Sequence, residues 1–269
     1  MYHPNYLKVN LSLLLNLLLC ASPSVAFTQT IAKPQTPSKQ NRLNNRNQQS
    51  GSVQVKVPIK TLPGRRENGS TRRGGCLFGD QPLIVLLLPS TNLGLTTAAY
   101  PKFFWYTPDN TAQTILFSLY KVDEKLRPRT LVYQTNFKPS TQARITSLTL
   151  PNNGKVAPLA IDQTYQWSVS IVCDIQDPSP RSVISVHGWV QRVNISNNVA
   201  NQLKRSSLRE RLSVYAAQGL WFDLLATVAE LRACNPSDTT LSDIWTSLLQ
   251  QVELDYLAKQ PFYQQCPRR

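Results

Sequence analysis

Hydrophobic and polar positions change rhythm once along this chain. From Leu83 to Val193 the apolar residues come in short runs or at every second position, and after Asn194 they recur at helical spacing. The first part centres on Leu95–Pro108, which reads LTTAAYPKFFWYTP and sets Phe103, Phe104, Trp105 and Tyr106 side by side. Consecutive aromatics of this kind fit a strand occupied on both faces. The apolar run Leu83–Leu88, bounded by Pro82 and Pro89, predicts a buried strand. Thr91–Gly94 reads as a turn, Lys102–Thr107 as the aromatic strand, and Pro108-Asp109-Asn110 as the next turn. Strands follow at Thr114–Tyr120, Thr130–Phe137 and, more weakly, Arg144–Leu150, before a sharp turn at Asn152-Asn153-Gly154.

The clearest alternation is Tyr165, Trp167, Val169, Ile171 and Cys173, with Gln166, Ser168 and Ser170 between them. A period of two turns Trp167 and Cys173 inward. Leu159 and Tyr165 have the spacing of an E–F corner, where a Tyr hydroxyl bonds back to the upstream backbone, so this segment resembles strand F of an immunoglobulin or fibronectin III sandwich. Ser182–Val193 supplies the last strand, with Ile184, Val186, Gly188 and Val190 inward. The pattern predicts an all-β immunoglobulin/fibronectin III-like sandwich over residues 76–194, with Trp105, Tyr165 and Trp167 in its core.

Beyond it, Leu208, Leu212, Tyr215 and Ala216 begin a helical period. Trp221, Leu224, Leu225, Val228 and Leu231 continue it, and Leu241, Ile244, Trp245, Leu248, Leu249, Val252 and Tyr256 make a third stripe. Gly219 parts the first two helices, Asn235-Pro236 ends the second, and Thr240 with Asp243 suits the start of the third. Tyr215, Gly219, Trp221 and Pro236 fall where a tetratricopeptide repeat carries such residues, so the hairpin is TPR-like. A single copy predicts a small C-terminal α-helical domain over 195–269, a hairpin capped by the third helix and not a peptide-binding array.

The N-terminus changes the setting. Lys8, the apolar run Leu11–Ala21 and Ser24-Val25-Ala26 predict a signal peptide over 1–26, cleaved after Ala26. The apolar run is too short for a membrane span, which needs about 20 residues, so no transmembrane segment is expected after cleavage. Leu19 stands before Cys20 where a lipidation signal wants a small residue, which disfavours a lipoprotein. Export into an oxidising space makes structural disulfides the default for the four remaining cysteines. Four can pair in three ways; the expected pairs are Cys76–Cys173 in the β part and Cys234–Cys266 in the helical part.

Charge is uneven. The chain carries a formal +14, and residues 27–75 hold ten Lys or Arg against one Glu. That stretch, rich in Gln, Asn, Ser and Pro, reads as a disordered basic linker. Within it Val53–Ile59 alternates as an edge strand, Arg65-Arg66 and Arg72-Arg73 read as solvated, and Gly74-Gly75 as a flexible join. The folded part is only mildly basic and lacks a basic stripe interleaved with exposed aromatics, which excludes nucleic acid as the expected partner.

Candidate chemistry is sparse. After signal removal His187 is the one histidine, and no cysteine pair has CxxC spacing, so no metal and no cofactor is expected. Ser185, His187 and Asp174 make a triad by count, but no G-x-S-x-G elbow accompanies them. Asp174 and Asp177, in a loop with Pro178 and Pro180, are the carboxylates a glycan hydrolase would use. Trp189 shares the less apolar face of its strand with His187 and Gln191. These two, His187 and Trp189, are the candidate surface or interface positions. Packing of Trp189 beneath the helices, near Trp221 and Trp245, is expected over an exposed groove.

Taken together, Arg73-Gly74-Gly75-Cys76, Gly94-Leu95-Thr96-Thr97, Tyr100-Pro101, Phe103–Tyr106, Tyr165-Gln166-Trp167, Gly188-Trp189-Val190, Tyr215-Ala216 and Gly219-Leu220-Trp221-Phe222-Asp223 resemble the DUF928 family of cyanobacterial exported proteins over about residues 72–262. The resemblance implies an envelope location and no activity. This chain departs from it at His187, where an acidic residue is expected. The reading is a secreted or periplasmic, cell-envelope-associated, non-enzymatic module that binds an envelope protein or an anionic polysaccharide, the alternative being an envelope glycan hydrolase.

Overall fold

The computed structural model describes residues 53–68, 76–77, 84–177, 182–262 and 264–267. The expected signal peptide, the linker up to residue 52 and the segment Arg72–Gly75 lie outside the described residues. Eight strands lie among those described: β1 (Val85–Leu86), β2 (Leu93–Thr96), β3 (Lys102–Thr107), β4 (Thr114–Val122), β5 (Pro128–Phe137), β6 (Arg144–Thr149), β7 (Thr164–Val172) and β8 (Val183–Arg192). They form two sheets, ordered β1-β3-β6 and β2-β8-β7-β4-β5. All pairings are antiparallel except β2 with β8, which run parallel from Leu93↔Trp189 to Thr96↔Arg192.

Alternation in β4, β7 and β8 turns Phe117, Trp167, Val169 and Val186 into the space between the sheets, where all four are buried. Phe103 and Trp105 of β3 meet them from the other sheet: ring centroids of Phe103 and Trp167 are 4.9 Å apart, and those of Trp105 and Phe117 6.2 Å. Tyr165 closes the corner before β7, its Oη accepting the Ala160 N–H at 2.9 Å. The Cys76–Cys173 disulfide, with Cα atoms 5.4 Å apart, ties the segment before β1 to the end of β7.

One expected turn is partly a strand. Leu93 and Gly94 open β2, because the chain turns earlier, at Asn92 with φ 60°. The Asn92 side chain donates to the carbonyls of Pro63 and His187 at 3.1 and 3.3 Å, which holds that left-handed conformation.

Four helices follow: α1 (Asn197–Arg205), α2 (Leu208–Gln218), α3 (Trp221–Cys234) and α4 (Thr239–Gln251), with a 3-10 turn at Asp255–Leu257. Helix α1 is an element that the sequence pattern does not predict; its apolar face is only Val199, Ala200 and Leu203, each half-buried, and it fully buries no residue. Ser207 and Glu210 form a capping box on α2, and Gly219 ends that helix with φ +68°. Asp238, not Thr240, caps α4, accepting the Thr240 N–H.

Helix α4 and the returning segment cover the outer face of the small sheet, while α3 reaches the space between the sheets through Phe222, which meets Phe103 and Trp167. Phe104 turns away from the sandwich and meets Trp245 at 6.4 Å and Phe262 at 5.8 Å. Trp221 donates its Nε1–H to the Leu87 carbonyl at 2.7 Å, and Phe222 reaches Phe103 at 5.3 Å. One hydrophobic cluster therefore runs from Trp167 through β3 to Trp245 and Leu248. The boundary expected at 194/195 is a change of secondary structure inside a shared core.

Residues 53–68, expected in the disordered linker, form a strap across the fold. No edge strand forms at Val53–Ile59. Instead Gln251 brackets the strap, accepting from Val55 N–H and donating to Val53 O, both at 2.8 Å, while Lys56 N–H donates to Ala216 O at 2.9 Å. Leu62 is buried, and Pro63 O accepts from Trp189 Nε1 at 2.7 Å. Arg66, expected to be solvated, is a clamp: its Nη1 donates to Leu88 O at 2.7 Å and to Val252 O at 2.6 Å. Two glycines permit this close approach. A Cβ on Gly219 would stand 2.5 Å from Lys56 O, and a Cβ on Gly64 2.2 Å from His187 Nε2.

Gly64 also has φ +99°. Gly64→Ala should therefore lose about 1–3 kcal/mol of stability, read by urea unfolding, with faster tryptic cleavage at Arg65 and Arg66. An unchanged midpoint and cleavage rate would mean that the strap does not rest on His187.

Candidate functional site

The sequence singled out His187 and Trp189, and the structure sets them on the outer face of β8, 6.4 Å apart ring to ring. Trp189 is 1% exposed, in a small cluster with Leu62, Leu93 and Val122. It is packed, as expected, but beneath the strap and not with Trp221 and Trp245, because its face of the sheet points away from the helices. His187 is half-buried, and burial pushes its imidazole below the ordinary value. Ser185 lies two positions along the same strand face, about 7 Å away, and its hydroxyl bonds Ser170 Oγ at 2.7 Å. Asp174 Oδ1 accepts from its own loop at Gln176 N–H, 2.9 Å. Serine, histidine and aspartate are thus not brought together as a triad.

Asp174 and Asp177 are exposed beside a stretch outside the described residues. A second acidic group stands elsewhere, at an open depression of about 700 Å³ where Asp123, Glu124 and Asp162 meet Lys60, Lys125 and Arg127. Asp123 is occupied there. It accepts from the N–H groups of Lys125 and Arg127 at 2.9 Å and from Arg127 and Arg129 side chains at 2.8 and 2.9 Å. The Arg127 backbone bond, then both guanidiniums, hold its carboxyl well below the usual carboxylate range. A general acid needs the opposite shift.

Asp223 does have the opposite shift, with burial as its largest cause. It sits in the first turn of α3 and accepts Thr97 N–H at 3.1 Å and Thr97 Oγ1 at 2.6 Å, with the Thr96 hydroxyl beside it. This joins two stretches more than a hundred residues apart, Gly94–Thr97 and Gly219–Asp223. A Cβ on Gly94 would stand 2.4 Å from Phe222, so the same junction also needs the missing side chain. The contacts are those of a seam between β2 and α3.

A cleft of about 290 Å³ opens where α3 ends, α4 begins and the C-terminal segment returns. Ala229, Arg232, Asp238, Ser242, Phe262 and Gln264 line it. Its base is aromatic: Phe262 stacks on Trp245 with planes 6° apart and centroids 5.7 Å apart. The Arg232 guanidinium lies 5.0 Å over the Trp245 ring. Burial pushes the Arg232 guanidinium below its ordinary value, yet the group remains a cation at physiological pH. Arg232 Nη1, Trp245 Nε1 and Gln264 Oε1 are buried without a hydrogen-bond partner among the described residues. Asp238, another lining residue, is paired with Arg209 and bonds Thr240. Two of these residues, Arg232 and Gln264, line the cleft, and a buried polar atom left open calls for an explanation such as a bound partner.

The disulfide Cys234–Cys266, Cα atoms 4.8 Å apart, holds the returning segment against α3. Pro261 O also accepts Ile145 N–H at 2.8 Å, anchoring the segment to β6. Arg232, Phe262 and Gln264 were not picked out from sequence. The disulfide returns the chain to the end of α3, but residues two apart on a helix do not share a face, so the bridge alone does not point to Arg232.

A family model described as Domain of Unknown Function (DUF928) matches residues 67–262. No curated protein matches the chain. Among the described residues no helix is long and apolar enough to cross a membrane.

Asp223→Ala leaves the Thr97 N–H and hydroxyl unpaired and should cost about 2–3 kcal/mol. The pH dependence has a defined sign. The folded pKa of Asp223 lies above the unbound value of 3.8, so its contribution is complete below pH 3.8 and is lost as pH rises through the folded value. The melting temperature of the wild type minus that of Asp223→Asn should therefore fall with rising pH; a flat difference would mean an ionised aspartate throughout. Replacing Cys234 and Cys266 together by Ser should cost about 2–4 kcal/mol. It should also red-shift tryptophan emission as Phe262 leaves Trp245; unchanged emission would show that the Ile145 contact suffices.

Proposed function

The chain belongs to the DUF928 family, and we propose that it is a non-enzymatic binding module of the cell envelope that takes an anionic polysaccharide in the Arg232 cleft. One observation carries this: the Arg232 guanidinium has an unpaired, buried nitrogen in a cleft open to solvent, on an aromatic base. An anionic oxygen is the partner such a group lacks. An acidic envelope protein would be read by the same group through a single side chain.

Export is part of the proposal. The signal-peptide pattern over 1–26 and the two disulfides fit an oxidising compartment, and the family resemblance favours a cyanobacterial envelope. We assign the sandwich to the immunoglobulin-like class. The parallel pairing of β2 with β8 and the Tyr165–Ala160 corner support that assignment. The α2–α3 hairpin serves as a TPR-like unit whose apolar stripe is spent on the sandwich, with no concave array to hold a peptide.

The full chain should be retained on immobilised polygalacturonate but not on dextran, and should stay bound at about 0.5 M salt, where surface attraction is screened within about 4–5 Å. Release at about 0.15 M salt would reduce the interaction to the basic N-terminal stretch. New reducing ends in the eluate would favour the hydrolase instead.

A further inference from the structure

The shape and charge of the Arg232 cleft narrow the ligand further than the word anionic does. Resting on the binding function proposed above, we infer that the cleft takes a singly charged hydroxy-carboxylate, the chemistry of one uronic acid residue. Three features of the site lead there.

The first is charge. The cleft offers one unpaired cation, Arg232, and its lining also includes Asp238, whose negative charge is shared with Arg209. One guanidinium can match one carboxylate through parallel N–H···O bonds. A phosphate dianion would bring a second negative charge toward Asp238 with no further cation among the lining residues.

The second is the open acceptor. Gln264, which lines the cleft together with Arg232, has its Oε1 buried without a partner among the described residues. An acceptor oxygen calls for an O–H or N–H on the ligand. A simple carboxylate such as acetate has none, whereas a sugar acid carries hydroxyls next to its carboxylate.

The third is the wall. Phe262, stacked on Trp245, gives an apolar surface at the edge of a cleft of about 290 Å³. The C–H face of a pyranose ring can lie on such a surface while its hydroxyls meet the polar side. Ser242, exposed on α4 at the mouth, leaves room for the chain to continue out of the cleft, so an internal residue of a polymer can enter.

The test is ligand-observed NMR and calorimetry on the full disulfide-bonded chain, with glucuronate, glucose, acetate and inorganic phosphate as probes. Glucuronate should bind saturably, and each of the others at least about tenfold more weakly. Arg232→Gln should weaken glucuronate by about tenfold or more. Ser242→Tyr, at an exposed position, should block the mouth without touching the core, so it serves as the second variant if Arg232→Gln fails to fold. Glucuronate bound equally by both variants, or phosphate bound as well as glucuronate, overturns the inference. If polygalacturonate is still held by Arg232→Gln and Ser242→Tyr as by the wild type, this site fails while the binding function stands. If neither the polymer nor glucuronate binds, both fail.

Discussion

Strand β3 must bury both of its faces, because Phe103, Phe104, Trp105 and Tyr106 alternate across it with no polar position between them. A sandwich alone covers one face of each sheet and leaves the other to water. Phe103 and Trp105 fill the space between the sheets; Phe104 faces the other way and needs a second cover, which Trp245 of α4 and Phe262 supply. Each aromatic removes roughly 150–250 Å² from water, so exposing that face would be costly. The helices are in turn seated by what β3 and β1 present: Trp245 and Phe262 against Phe104, and Trp221 on the Leu87 carbonyl.

This two-sided strand also accounts for where the cleft lies. Phe262 is held between Phe104 and Trp245, the returning segment is pinned by Cys234–Cys266, and Arg232 is left lying over the same indole. The cleft is thus built on the core and not on a loop. The Gly94–Thr97 and Gly219–Asp223 stretches do different work, locking β2 to α3 through Asp223 and Phe222. They carry the family likeness, and their contacts are structural. The strap adds a further constraint, since Arg66 bonds carbonyls of Leu88 and Val252, one from each half of the fold.

Much of the architecture was legible because it rests on strict periods. Tyr165, Trp167, Val169 and Ile171 alternate in sequence and all point inward. Trp221, Leu224, Leu225 and Val228 keep their helical spacing as a buried stripe, and Phe222, Thr227 and Ala229 are buried beside it because α3 packs on its neighbouring helices as well as on the strands. What could not be read is instructive. Helix α1 has only a short apolar face, Val199, Ala200 and Leu203, in an otherwise polar stretch. The strap has the composition of a linker, and its order comes from single contacts, Leu62 under Trp189 and Arg66 on two carbonyls, which no local pattern encodes. Trp189 was legible as packed but not as to its cover, since the strap arrives from more than a hundred residues away. The cleft was hidden for the same reason: Arg232 reads as an ordinary charge at a helix end, and only the returning chain makes it a cation without a partner.

The central claim is that the sandwich and the helices share one core through β3. Native-state hydrogen exchange tests it most directly, by comparing the slowest amides of β7 with those of α3 and α4 as denaturant is raised. A shared core predicts that all three sets merge into a single global opening with the same free energy. Amides of α3 and α4 that exchange through a separate, lower-energy opening while β7 stays protected would contradict it.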